Sequence, residues 1–335
     1  VYKATDVVDK AVKAYTWPVN EIIELPPEIL AERLDMWLAH NRPHHTRKLW
    51  KQYISAGLVA VNGRKAVPAF KVQSGMIITL AEACQTAPSL AAAHNPTTPR
   101  TLDILCQQDG LVAVNKPAGM HCHPNRSDSL AISTVASILA EMFPGFASAG
   151  SNPLEGGLMN RLDCDTSGVL LACTSLAARE HWQVHLNHPS CTKTYLSILC
   201  GSIPENNCFS TDWPIAHHER KSDRVVAVKA GSEPYRGTPR PAVSDWTILS
   251  RSNNHALASI QVHKAQFHQI RAHAQALGCP LLADKVYGTP TITTPIMSRH
   301  ALHAWKLSVN GLDIEAPIPA DFQAAITSLN LSLPE

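Results

Sequence analysis

Arg161-Leu162-Asp163, followed after two residues by Thr166-Ser167-Gly168, puts charges of both signs on a short turn that runs into the apolar segment Val169-Leu170-Leu171. That segment reads as a buried strand, so the turn has a rigid base. A carboxylate fixed in this way is a candidate for catalysis. The bland alternative is that Asp163 merely caps its turn, as Asp commonly does.

The elements that must hold this turn can be read on either side of it. Upstream, Leu102–Cys106 and Leu111–Asn115 flank Asp109-Gly110, a strong hairpin signal, and Lys116-Pro117-Ala118-Gly119-Met120 follows. Lys116 either orients backbone or phosphate near the turn or is structural. Ser129 to Met142 is predicted as a helix. Downstream, the pattern predicts a helix from Ser175 to His188 and a strand of alternating character from Lys193 to Gly201. Residues 202–242 read as polar, Pro-containing connections, with His217-His218-Glu219-Arg220-Lys221 as a solvated loop. Strands near Ser244–Ser250 and Ala256–His263 precede Phe267-His268-Gln269-Ile270-Arg271-Ala272-His273.

At 335 residues and 45% hydrophobic composition the chain can bury a full core and divides into more than one domain. No run approaches the ~18 apolar residues of a membrane span. Nine cysteines are scattered without a Cys-x-x-Cys pair, which points to buried thiols in a reducing intracellular compartment and away from zinc. His121-Cys122-His123 is the one metal-like cluster, but neighbours on an extended chain alternate faces, so no metal site is assigned. The chain opens on Val rather than Met, and a removed leader would fit that start. Both the cytoplasm and an organelle matrix, the mitochondrion included, agree with these features.

A net charge of +2 does not by itself announce a nucleic-acid partner, but its distribution does. Between Glu32 and Lys71 eight cations face two acids, a net of +6 that leaves −4 for the remainder. Residues 1–27 read as an extended lead-in ending in Leu25-Pro26-Pro27. From Glu28 a helix is predicted, with Leu30, Leu34, Trp37 and Leu38 on one face and a stop before Pro43. Thr46 would cap a second helix with Leu49, Tyr53 and Ile54 inward and Gly57 as its stop, and Asn62-Gly63 marks a hairpin. Arg47, Lys48 and Lys51 share a helix face suited to phosphates. Residues 83–100, rich in Ala and Pro, read as a linker to a domain spanning 101–335.

Arg161-Leu162-Asp163-x-x-Thr166-Ser167-Gly168 resembles the central motif of the RluA/RluD-type pseudouridine synthases, and other segments resemble that family in the same order. These are Asn115-Lys116-Pro117-x-Gly119, Lys193-x-Tyr195, His268-Gln269-Ile270-Arg271, Asp284-x-x-Tyr287-Gly288 and Arg299-His300-Ala301-Leu302-His303. Residues 28–82, with Arg33-Leu34-Asp35, Thr46-Arg47, Ile54-x-x-Gly57 and Val72-x-x-Gly75, resemble the ribosomal protein S-four type RNA-binding module, although Met76 replaces its usual Asp. The resemblance implies an α+β protein. A small α/β RNA-binding module would precede a mixed-sheet pseudouridine synthase domain with a central active-site cleft.

For the site, the resemblance implies Asp163 as the catalytic carboxylate, acting as nucleophile or as the base that removes the sugar's C2′ proton. Arg271 would be its ionic partner and Tyr195 the ring on which uracil stacks. Arg161, Lys116, His268 and Gln269 are the expected substrate contacts, and Arg33, Arg47, Lys48, Lys51, Arg64 and Lys65 the expected RNA contacts of the module. Leu162 would pack beneath the loop, and Asp35 is assigned to packing or capping. No cofactor is expected, because the isomerisation involves no net redox change. The expected partner is RNA, large-subunit ribosomal RNA first and transfer RNA as the alternative, with a pre-ribosomal particle as wider context. Two departures stand out: Asn160 where the family has His or Gly, and Ala265-Gln266 for a usual Gly-Arg. They motivate a rival in which the fold serves as an RNA-binding ribosome-assembly or RNA-maturation factor with catalysis lost or incidental.

Overall fold

A computed structural model describes residues 19–28, 31–42, 45, 47–84, 101–124, 133–152, 154–288 and 296–334. The chain forms two compact units, Val1–Thr98 with His123–Gly156, and Pro99–Cys122 with Gly157–Glu335.

In the first unit, strands β1 (Val19–Glu24), β3 (Val59–Val61), β4 (Arg64–Lys65) and β6 (Ile77–Ala81) form a sheet in the order β1-β6-β3-β4. Two short strands, β2 (Glu32–Arg33) and β5 (Lys71–Val72), pair separately. Helices α1 (Leu34–Asn41) and α2 (Arg47–Ala56) supply Leu34, Trp37, Leu38, Trp50 and Ile54 to a core shared with Val59, Val61, Ile78 and Leu80. Asn62 and Gly63 both take positive φ, 48° and 74°, as the expected hairpin turn requires. The first helix starts later than expected because Glu32 and Arg33 are drawn into the ladder with Val72 and Lys71. Leu30 and Thr46 lie outside the described residues, as does most of the expected linker. The unit also contains α3 (Val135–Met142), where Thr134 and Ser137 form a capping box; the expected start at Ser129 lies outside the described residues.

The second unit is built on a nine-stranded sheet. Its strands are β7 (Asp103–Gln108), β8 (Leu111–Lys116), β9 (Ser167–Cys173), β10 (Thr192–Cys200), β11 (Cys208–Thr211), β15 (Ser244–Ser252), β16 (His255–Val262), β17 (Leu302–Val309) and β18 (Leu312–Glu315). The order is β11-β15-β16-β10-β17-β9-β8-β7, with β18 beside β17. All pairs are antiparallel except β9 with β17, so the sheet is mixed. The β7–β8 hairpin turns on Asp109 and Gly110 at φ 48° and 75°. Ser175 caps α4 (Leu176–Asn187) through a bond from Ala178 N–H, and the helix lays Ala178, Trp182 and Leu186 on Leu111, Ala113, Val169 and Leu171.

Strand β10 departs from the expected alternation, being buried continuously from Tyr195 to Cys200. It lies between β16 and β17, and both of its faces are covered. Tyr195 and Leu199 share a core with α5 (Gln269–Leu277), while Leu196 and Ile198 pack with Phe322, Ala325 and Ile326 of α6 (Ala320–Ser328).

The expectation of loops over 202–242 is corrected. Beside β11, this stretch contains β12 (Ile215–His218), β13 (Val225–Ala227) and β14 (Tyr235–Arg240), which form a three-stranded sheet in the order β13-β12-β14. Ile215, Val225 and Ala227 pack against Ala272 of α5 and Tyr287. The strands were hidden by their length, three to six residues each. Within the supposed solvated loop, His218 is buried, and its Nδ1 accepts from the backbone of Arg220 and Lys221.

One register row fixes the middle of the sheet: Tyr195 on β10 faces Ala304 on β17, which faces Gly168 on β9. Gly168 sits at φ 113°, and a Cβ there would lie 2.1 Å from the Ala304 carbonyl oxygen. Gly168→Ala is therefore expected to cost roughly 3 kcal/mol or more of stability, through a forbidden backbone angle and a clash with main chain. Chemical denaturation of the purified variant measures it.

Candidate active site

Asp163 lies on the loop that enters β9, at the wall of a cleft of about 380 Å³ counting its open mouth. Arg161, Asp163, Tyr195, His268, Gln269 and Arg271 all line it, so the fold gathers residues up to 110 positions apart. Arg271, on the first turn of α5, donates from Nη1 to Asp163 Oδ2 at 2.8 Å. Its other edge forks onto Asp284, with Nε to Oδ2 at 2.7 Å and Nη2 to Oδ1 at 2.9 Å. Burial alone would disfavour the Arg271 charge, but the two carboxylates outweigh it and raise the guanidinium above its ordinary value. Burial would likewise push Asp284 up, yet the Arg271 bonds and the backbone N–H groups of Val286 and Tyr287 hold it below the usual carboxylate range.

His268 stands at the N-cap of α5 in the left-handed region, φ 54°. Its Nδ1 is 3.2 Å from the Tyr287 hydroxyl, which itself accepts from Val225 N–H. The other ring nitrogen, Nε2, lies 3.5 Å from Asp163 Oδ2. Burial pushes His268 down to about 4, so the ring is neutral near pH 7. Tyr195 is buried with its phenol pushed up by burial and by the Asp163 charge, and offers the cleft a neutral ring.

The loop around Asp163 is tethered residue by residue. Cys122 Sγ contacts both the N–H and the carbonyl of Leu162, at 3.3 and 3.2 Å. Lys116 Nζ and Gly119 N–H donate to the Cys164 carbonyl at 2.8 and 2.9 Å. Arg299 donates to the Asp165 carbonyl at 3.0 Å, His300 pairs with the Thr166 hydroxyl at 2.8 Å, and His303 with that of Ser167 at 2.9 Å. Leu162 packs on the core that holds Tyr195.

Not every expected substrate contact opens onto the cleft. Lys116 is fully buried, its ammonium bonded to the Pro117 and Cys164 carbonyls, and burial lowers it to about 8. Gln269 lines the cleft, but its amide is spent on Val243, Ser244 and the Gln266 N–H. Arg161 is exposed at the rim. Asn160 accepts from Leu171 N–H at 2.8 Å and so ties the approach of the loop to β9. Asp284, Cys122 and Arg299 received no role from sequence. Asp284 and Arg299 both carried a local signal, since each opens a segment that resembles the family.

In the first unit, Asp35 is fully buried and accepts from Arg33 at 2.9 Å and Arg47 at 2.9 Å, with Lys51 at 3.7 Å. Burial would raise it, but the bonds from Arg33 and Arg47 hold it low. Three expected RNA contacts are thus gathered on one internal carboxylate. Arg64 and Lys65 lie exposed on β4, and the Lys48 side chain lies outside what is described.

Residues 110–276 match the family model described as RNA pseudouridylate synthase, and residues 32–78 match the S4 domain. An uncharacterized RNA pseudouridine synthase of Synechocystis sp. is 30% identical over 316 residues, covering 91% of each chain. The ribosomal large subunit pseudouridine synthase D of Neisseria meningitidis is 28% identical over 325 residues, covering 92% of this chain and 82% of its own. The structure of human RNA pseudouridylate synthase domain containing 4 is similar in fold, with a TM-score of 0.53 at 21% identity over 70% of this chain and 95% of its own. No helix among the described residues is long and apolar enough to cross a membrane.

Burial also lowers His300 and His303 to about 4, as it does His268. Each takes up a proton more readily unfolded, near 6.5, than folded. Stability is therefore expected to be complete above about pH 6.5 and to fall as pH drops from there toward 4. His303→Gln should flatten that slope while lowering the melting temperature at pH 7, as thermal denaturation across this range will report.

Proposed function

The chain belongs to the RluA-type RNA pseudouridine synthase family, isomerases that act on RNA, and we propose that it converts specific uridines of large-subunit ribosomal RNA at Asp163. The observation that carries this reading is the 2.8 Å ion pair between Asp163 and Arg271 inside the cleft lined by Tyr195. The name of the Neisseria relative supports the choice of RNA; transfer RNA is the alternative substrate.

The reaction breaks the C–N glycosidic bond, turns the base and rejoins it through carbon, with no redox change. The target nucleotide leaves its stack to reach the cleft, at a cost of a few kcal/mol. Tyr195 offsets part of that cost by stacking on the uracil, worth ~1–3 kcal/mol per base. Asp163 then acts on the sugar, as nucleophile at the glycosidic carbon or as base on the C2′ proton. Arg271 fixes the carboxylate's direction, and its own plane is fixed from behind by Asp284. Arg161 at the rim is placed to fill the gap left in the RNA or grip its backbone. The S4 unit supplies RNA affinity, with Arg64 and Lys65 as its exposed contacts.

Chemical mapping of pseudouridine in cellular RNA tests the reaction. One or a few sites in large-subunit ribosomal RNA should disappear equally with Asp163→Ala and with deletion. If no site changes, while deletion but not Asp163→Ala impairs RNA maturation, the protein is an assembly factor instead. With the substrate in hand, Asp284→Asn is expected to lower kcat by about 10- to 100-fold with KM nearly unchanged, the size of loss seen when an orienting partner is removed. Steady-state kinetics separate the two parameters.

A further inference from the structure

We propose that Phe267 is a second stacking platform, outside the cleft, for an unpaired base flanking the uridine; this rests on the reading of the cleft given above. Among the described residues only three aromatic side chains are exposed large hydrophobics, Phe70, Tyr235 and Phe267, and Phe267 alone adjoins cleft-lining residues in sequence, Gln266 and His268. It is 48% exposed. Its ring lies nearly flat on the His268 imidazole, with centroids 3.7 Å apart and planes 21° apart. His268 in turn meets Tyr287 edge-on at 5.7 Å and is held by the Tyr287 hydroxyl. A stack thus runs from the buried Tyr287 outward and ends in a phenyl ring that is half in water. That ring is supported from within, so a base placed on it costs little ordering of the protein.

Ala265 and Gln266, just before Phe267 in sequence, line the cleft and carry no charge. When a nucleotide is extruded, its neighbour loses a stacking partner on one face. An aromatic ring beside the cleft mouth restores that contact, and it accepts any base because every base has a π-face.

The test uses the full chain and two fluorescein-labelled RNAs, a hairpin with a uridine-rich loop and a fully paired duplex, with binding followed by anisotropy. Phe267→Ala and Phe267→Leu should both weaken hairpin binding by about 5- to 150-fold, the range that stacking energies imply, and leave duplex binding and melting temperature unchanged. Phe267→Trp and Phe267→Tyr should bind as the wild type does. Wild-type affinity in Phe267→Ala overturns the proposal, and so does wild-type affinity in Phe267→Leu, which would reduce the contact to apolar area. An equal loss on the duplex also overturns it. The readout is binding, so an Asp163→Ala variant that binds normally but makes no pseudouridine bears on the reaction and not on the platform.

Discussion

A single guanidinium, buried and shared between two carboxylates, is the interaction on which the catalytic unit depends. Arg271 can remain charged away from water only because Asp284 meets it with both oxygens and Asp163 completes the set. The fork fixes the plane of the guanidinium, and that plane fixes where Asp163 points. Three stretches of chain must arrive together for this to happen: the loop before β9, the first turn of α5, and the turn that follows α5.

The backbone serves the same end. Strand β17 separates β9 from β10 and pairs parallel with the first, so the loop bearing Asp163 and the ring of Tyr195 come to one end of the sheet. Gly168 allows β17 to approach that closely. Every residue from Leu162 to Ser167 other than Asp163 has a backbone or hydroxyl group held by another segment, and the Asp163 carboxylate lines the cleft beside Leu162 and Thr166.

Much of this was legible in the sequence because local chemistry specified it. Asn62-Gly63 and Asp109-Gly110 named their turns, the pattern from Ser175 named a helix, and the run at Val169 named a buried strand. Motifs in a fixed order drew Asp163, Tyr195 and Arg271 into one resemblance. What escaped depends on tertiary contacts. Strands β12 to β14 are only three to six residues long, and packing on α5 and Tyr287 makes them a sheet. Lys116 reads as a phosphate-binding cation until its burial is seen, and Gln269 as a substrate contact until its amide is traced to Val243 and Ser244. The clamp on the loop that bears Asp163 joins residues more than 130 positions apart, a relation no local pattern encodes.

Asp35, the buried acid of the S4 unit, changes how that unit's basic charge should be counted. A cation already paired with an internal carboxylate neutralises less of the RNA's phosphate charge, and so releases fewer of the counterions condensed on the RNA. Arg33 and Arg47, both bonded to Asp35, therefore serve as a scaffold that sets the spacing of the helix and strand as much as a source of positive potential. The affinity of this unit for RNA will depend less steeply on ionic strength than its tally of lysines and arginines implies.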